Sequence, residues 1–152
     1  MNVWMDIAYD EAVKGMQANH GGPFGAVIVK NGKLIAKAHN RVLVDSDPTA
    51  HAEIGAIREA AKQLNTFHLE DCVLYTTCEP CPMCLGAVFW ARIPTVWYGA
   101  TSEDAAKGGF DDARFYAMLS GENRDVVLKQ IEHEKHAKLF SMWNNKSDAV
   151  IY

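Results

Sequence analysis

The sequence has no long apolar run. No segment approaches the roughly 18 residues a membrane helix needs, and Leu85–Ala91 is a representative short one; no membrane partner is expected. It also lacks an excess of positive charge: 15 Lys+Arg stand against 19 Asp+Glu, a net −4. That balance argues against a protein whose affinity comes from neutralising many phosphates, so no nucleic-acid partner is expected either. No internal repeat, low-complexity tract or linker divides the 152 residues, and one domain is expected. Met1–Asp6 lacks a basic stretch leading into an apolar one. A cytoplasmic chain with reduced cysteines follows as an expectation. Cysteine is scarce, 4 in all, yet Cys78, Cys81 and Cys84 fall within one heptapeptide. A chain of this length buries enough surface to need no disulfide staple, so close cysteine spacing points to metal binding or catalysis.

The pattern predicts a helix first, with Trp4, Ile7, Ala8, Ala12, Gly15 and Met16 on one face, stopped by Gly21-Gly22-Pro23. Two strands, Phe24–Val29 and Leu34–Ala38, flank Asn31-Gly32, a hairpin signal because both central residues of a type I′ turn need positive φ. Asp47 and Pro48 offer an N-cap and first-turn proline for a helix running to about Leu64. Further strands are expected at Cys72–Thr76, Thr95–Tyr98 and Val126–Ile131. Helices are expected from Pro82 to Ile93-Pro94, around Phe115–Leu119, and over His133–Trp143. Strands alternating with helices indicate an α/β fold with helices on both faces of a mixed five-stranded sheet.

Two pieces carry metal-ligand chemistry: His51-Ala52-Glu53 and Cys78-Glu79-Pro80-Cys81-Pro82-Met83-Cys84. Cys81 and Cys84 are three helical steps apart, roughly 60° around the axis, and can share a metal. A helix N-terminus and a cation both favour thiolate over thiol. With His51 they make three ligands of the kind Zn²⁺ takes, leaving a fourth position for water, as in catalytic sites. Cys78-x-x-Cys81 is equally a CxxC. Pro80 pushes Glu79 toward an extended conformation, which leaves Cys78 at a strand end and favours the other pair. On spacing alone, a closed structural site with Cys78 as fourth ligand stays open. A carboxylate such as Glu53 beside a metal-activated water can accept its proton and pass it on. Residues two apart on a regular helix point about 200° from each other, so spacing alone does not bring His51 and Glu53 to one site.

H-x-E followed by P-C-x-x-C is the signature of zinc nucleobase deaminases, and this chain carries His51-Ala52-Glu53 and Pro80-Cys81-Pro82-Met83-Cys84. Over essentially its whole length it resembles the cytidine deaminase superfamily. The resemblance implies a three-layer α/β/α fold, one zinc ion per chain on His51, Cys81 and Cys84, and Glu53 as proton shuttle. Asp47-Pro48-Thr49-Ala50-His51-Ala52-Glu53 looks like two branches of that superfamily, bacterial guanine deaminases and tRNA adenosine deaminases. Gly109-Phe110-Asp111-Asp112 and the terminal Tyr152 are similar to the first. By that likeness, Asn40 and Phe24 bind a purine base and Asp112 is a second acidic group at the active site. Backbone N–H groups near Ala52 and Cys81 support developing charge. Tyr152 closes the site on a tail, about 144–152, swapped between the subunits of a homodimer.

On their own, several of these residues have plainer readings. Asn after a strand is commonly a turn residue, a Phe opening a strand is commonly core, and an Asp pair in a Gly-rich loop commonly caps or turns. Trp90, at the end of the metal-bearing helix, packs under the next strand more often than it lines a pocket. His20, His39, His68, His133 and His136 have no ligand spacing to the cysteines, and Cys72 reads as a small buried apolar residue. The resulting expectation is hydrolytic deamination of guanine to xanthine and ammonia. One rival is a tRNA adenosine (A-to-I) deaminase, which needs a basic path; near the C-terminus there are only Lys135, Lys138 and Lys146. The other is a non-catalytic zinc-stapled binding protein, which needs neither Glu53 nor a spare coordination position.

Overall fold

A computed structural model describes residues 2–110, 112–122 and 126–150; Asp111 and Tyr152 lie outside them. The first helix, α1 (Val3–Gln17), starts where the Asn2 side chain accepts from the N–H groups of Trp4 and Met5, satisfying two of the donors a helix start leaves free. A hairpin follows, β1 (Gly25–Lys30) and β2 (Lys33–His39). Its turn is the expected one, with Asn31 and Gly32 at φ 50° and 69°. After a single-turn helix α2 (Val42–Asp45) come α3 (Ala52–Leu64), β3 (Cys72–Cys78), α4 (Pro82–Trp90) and β4 (Thr95–Ala100). The chain continues through α5 (Ser102–Lys107), α6 (Ala113–Leu119) and α7 (His133–Asn144).

Among the described residues the sheet has four strands in the order β2-β1-β3-β4. β1 is antiparallel to both neighbours, while β3 and β4 run parallel across α4. The strand period of two splits β1 between two cores. Val27 and Val29 pack with Ala8, Trp4 and Ile7 of α1. Ala26 and Ile28 pack on the other side with Ala52, Ala56 and Ala60 of α3 and Val88 of α4. That arrangement is the expected three-layer α/β/α fold. Ile28 is fully buried, and burying a side chain of that size stabilises by about 1.5–3 kcal/mol.

Two expectations need correction. The fifth strand does not form. Val126–Ile131 lies off the sheet, with Leu128 92% exposed, and β-branched residues make no strand without an edge to pair with or a layer to bury against. The second long helix also starts later than Asp47-Pro48. The Asp47 side chain accepts from the N–H and hydroxyl of Thr49, a local turn that competes with helix. The chain then stays extended at His51 (φ −71°, ψ 156°), which caps α3 from outside. Neither α2 nor α5 was expected from the pattern. Thr101 and Asp104 cap each other reciprocally at the start of α5. No described helix is long and apolar enough to cross a membrane.

Candidate active site

The late start of α3 removes the angular obstacle. His51 stands one residue outside the helix and Glu53 stands in its first turn, so the 200° rule for two helical residues does not apply to them. Opposite, Cys81 caps α4, with Pro82 at its first position. The Cys81 Sγ accepts the N–H of Cys84 at 3.5 Å. Both helix starts lie at the carboxyl ends of strands, where α/β sheets place their ligands.

His51 Nδ1 is 3.6 Å from the Cys81 Sγ and 3.4 Å from the Cys84 Sγ. A tetrahedral zinc with bonds of about 2.05 Å to nitrogen and 2.3 Å to sulfur sets that separation near 3.6 Å. The three donors therefore fit zinc, with the ring's Nδ1 as ligand atom. His51, Cys81 and Cys84 are the one group of this kind among the described residues. Bonds from the Cys84 thiol, the Cys84 N–H and His51 overcome burial and bring Cys81 down to about 4. The same thiol–thiolate bond, with burial, pushes Cys84 up. The contact with Cys81 raises His51. Cys78 stands apart from this cluster. Its thiol donates to the Thr101 carbonyl at 3.6 Å, and burial with the nearby Glu53 and Asp112 charges raises it to about 11. A closed site with Cys78 as fourth ligand does not match that geometry.

These groups open into a cavity of about 450 Å³, whose lining includes His51, Glu53, Cys81, Asn40, Phe24 and Asp112. Glu53 is buried, and desolvation raises its carboxyl above the ordinary range, as suits a group that both takes and returns a proton. Asn40 is buried; its carboxamide oxygen accepts from Val42 N–H at 3.1 Å. Among the described residues nothing accepts from its NH₂ group, so two donors remain for a ligand. Phe24 meets Phe110 edge to face at 4.8 Å between ring centroids. Phe110 belongs to the stretch that carried the family likeness, but nothing in its spacing marked it as a wall residue. Glu79 also went unmarked; it lines the cavity while its carboxylate accepts from Ser102 N–H at 3.0 Å. No Lys or Arg is among the described lining residues.

Two expected residues sit elsewhere. Ala52 is fully buried at the first position of α3, so its backbone N–H is all it can offer. Trp90, at the far end of α4, lines a separate outer groove with Ile57, Arg58 and Phe67.

The H-x-E start of α3, the C-x-x-C start of α4 and the sheet between them belong together. Residues 1–100 match the family described as the cytidine and deoxycytidylate deaminase zinc-binding region, and the chain is a member of that family. The matched region contains His51, Glu53, Cys81 and Cys84 but stops short of Phe110 and Asp112. Beyond the family, the chain is 50% identical to a guanine deaminase of Bacillus subtilis over 143 residues, 93% of this chain and 92% of that one. It superposes on an X-ray structure of guanine deaminase from the same organism with a TM-score of 0.95 and 46% identity, covering 100% of this chain and 99% of that one. A tRNA-specific adenosine deaminase of Aquifex aeolicus is 46% identical over 106 residues, 70% of this chain and 68% of that one.

Proposed function

We propose that the chain is a zinc-dependent guanine deaminase, hydrolysing guanine to xanthine and ammonia. The observation that carries this reading is the cavity. It is small, walled by Phe24 and Phe110, fitted with the Asn40 amide, and holds Glu53, Glu79 and Asp112 without a single Lys or Arg among its described lining residues. Three carboxylates repel a phosphate and suit a neutral base carrying N–H donors. The tRNA reading needs the opposite charge.

His51, Cys81 and Cys84 hold one zinc ion per chain. Zinc bound there supplies a Lewis acid that lowers the pKa of water. Glu53 accepts a proton from the attacking water as its oxygen bonds C2 of guanine. Glu53 passes that proton to the ring nitrogen beside C2, then takes the proton of the new C2 hydroxyl and delivers it to the exocyclic amine as the C2–N bond breaks, leaving the C2 carbonyl of xanthine and ammonia. The Asn40 NH₂ donates to the purine carbonyl or a ring nitrogen, Phe24 stacks on the base, and Asp112 accepts from its N–H groups. The N–H groups at Ala52 and Cys81 face developing negative charge at helix starts.

The test is a panel of guanine, guanosine, cytosine, adenine and a tRNA anticodon stem, scored by ammonia release. Guanine should lead, with xanthine as product. Inosine in the tRNA, with binding that weakens steeply as salt rises, would make the rival correct.

The working unit of this reading is a cytoplasmic homodimer. From Val126 on, the described chain leaves its own core: α7 buries no residue, and Leu128, Ile131 and Phe140 are all more than two-thirds exposed. Exposed apolar surface on that scale fits exchange of this segment with a second copy, carrying the tail of about 144–152 and Tyr152 to the partner's cavity. Deleting residues 149–152 should raise KM and lower kcat with zinc content intact, as loss of a lid does. Mixing tail-deleted and Glu53→Gln chains should then regenerate activity in heterodimers. Confirmed heterodimers without activity would place the tail on its own subunit.

A further inference from the structure

Glu11, His39 and His20 take no part in the chemistry above, yet they form one hydrogen-bonded chain from the α1–sheet interface to the cavity wall. The Glu11 Oε2 is 3.0 Å from His39 Nδ1, and His39 Nε2 is 2.9 Å from His20 Nδ1. Glu11 and His39 are buried, and Lys37 closes on the other Glu11 oxygen at 3.0 Å. Burial alone would raise the Glu11 carboxyl, but the bonds from His39 and Lys37 and the charges of Lys37 and Lys14 bring it below its usual value. An ionised carboxylate only accepts, so His39 donates from Nδ1 to Glu11, and its Nε2 shares one hydrogen with His20 Nδ1. The fit is close: a Cβ at Gly15 would lie 2.5 Å from the His39 ring.

Each histidine stands one residue before a lining residue of the cavity, His20 before Gly21 and His39 before Asn40. His39 ends β2 immediately before Asn40. The His20 carbonyl accepts the N–H groups of Leu43 at 3.0 Å and Val44 at 3.1 Å, and Leu43 lines the cavity. Next to His20, Gly21 and Gly22 form a stretch of wall without side chains, so close that a Cβ at Gly21 would sit 2.0 Å from the Asn40 carboxamide oxygen. Such a wall has no side-chain anchor of its own; on the Gly21 side the adjoining side chain is His20. An apolar trio would fill this interface without desolvating a charge. What the polar chain adds is one fixed orientation.

We propose that Glu11–His39–His20 is a positioning chain that sets the Gly21-Gly22 wall and Asn40 against the base, and so acts on substrate binding rather than on turnover. This rests on the reading of the cavity as a purine site. His20→Leu should raise KM for guanine about tenfold while kcat stays within about threefold, the scale of one lost hydrogen bond, with zinc content unchanged. His20→Asn places an amide, both donor and acceptor, where Nδ1 stood and should bring KM back close to the parent value. Hydrogen exchange at the Leu43 and Val44 amides should quicken in His20→Leu and slow again in His20→Asn. An unchanged KM in His20→Leu, a kcat that falls as far as KM rises, or no rescue by Asn overturns the proposal. If the parent enzyme releases no ammonia from guanine, the substrate reading fails instead. The amide exchange still decides the positioning role: equal protection in parent and His20→Leu overturns it.

Discussion

Glu53→Gln should keep its zinc and its affinity for guanine and lose turnover by about 10²–10⁴-fold, the usual cost of removing one general acid–base group. The substitution preserves shape at a buried position in the first turn of α3, so the layers beneath it have no reason to move. What it removes is the exchangeable proton. Burial holds the Glu53 carboxyl above its ordinary value, which brings its affinity for a proton nearer to that of the groups it serves. A Gln amide neither accepts a proton from water nor delivers one to a leaving amine. Steady-state ammonia release, read beside metal analysis, checks this directly. Wild-type kcat in a zinc-loaded Glu53→Gln enzyme would remove Glu53 from the reaction.

The second large effect concerns the metal. Cys84→Ser should lower zinc affinity by more than about 100-fold, since even changes to groups behind the ligands cost 10–100-fold; Cys78→Ser should purify with zinc at the parent level. The contrast follows from where the two sulfurs point. The Cys84 Sγ faces His51 Nδ1 at 3.4 Å, whereas the Cys78 thiol donates to the Thr101 carbonyl. Activity should follow the metal, vanishing in Cys84→Ser and persisting in Cys78→Ser. Equal zinc loss from both variants would mean a closed four-ligand site with no position left for water, and the hydrolytic mechanism would fall with it.

The His51, Cys81 and Cys84 cluster was legible in the sequence to an unusual degree, because metal ligands and a helix-opening proline leave fixed spacings. Cys81, Pro82 and Cys84 announced both the start of α4 and the side it presents. The Asn31-Gly32 turn was equally plain, since few residue pairs tolerate positive φ twice in succession. The relation of His51 to Glu53 was not legible. It depends on the Asp47–Thr49 turn holding the chain out of the helix for several residues, a competition between local bonds that propensity does not rank. The Val126–Ile131 run misled for a related reason: its residues favour strand, but a strand exists only where an edge receives it. Phe110 and Glu79 were invisible because a wall residue is defined by what stands opposite it. The pairing of Glu11 with His39 crosses 28 positions of sequence, and no local pattern encodes it.

The cavity's floor and wall differ in how they are built. The floor residues Glu53, Cys81 and Cys84 are buried at the starts of two helices whose bodies pack into the main core, so altering their setting disturbs the fold. The wall is assembled from connections and the single-turn α2: Gly21-Gly22, Asn40 and Leu43, together with Phe110 and Asp112. Connections tolerate substitution and changes of length that packed elements do not. On the proposed function, reaction type rests on the packed helix starts and choice of base on the connections. A scaffold built this way can change its substrate by rewriting loops while the metal-binding helix starts stay in place, without being refolded.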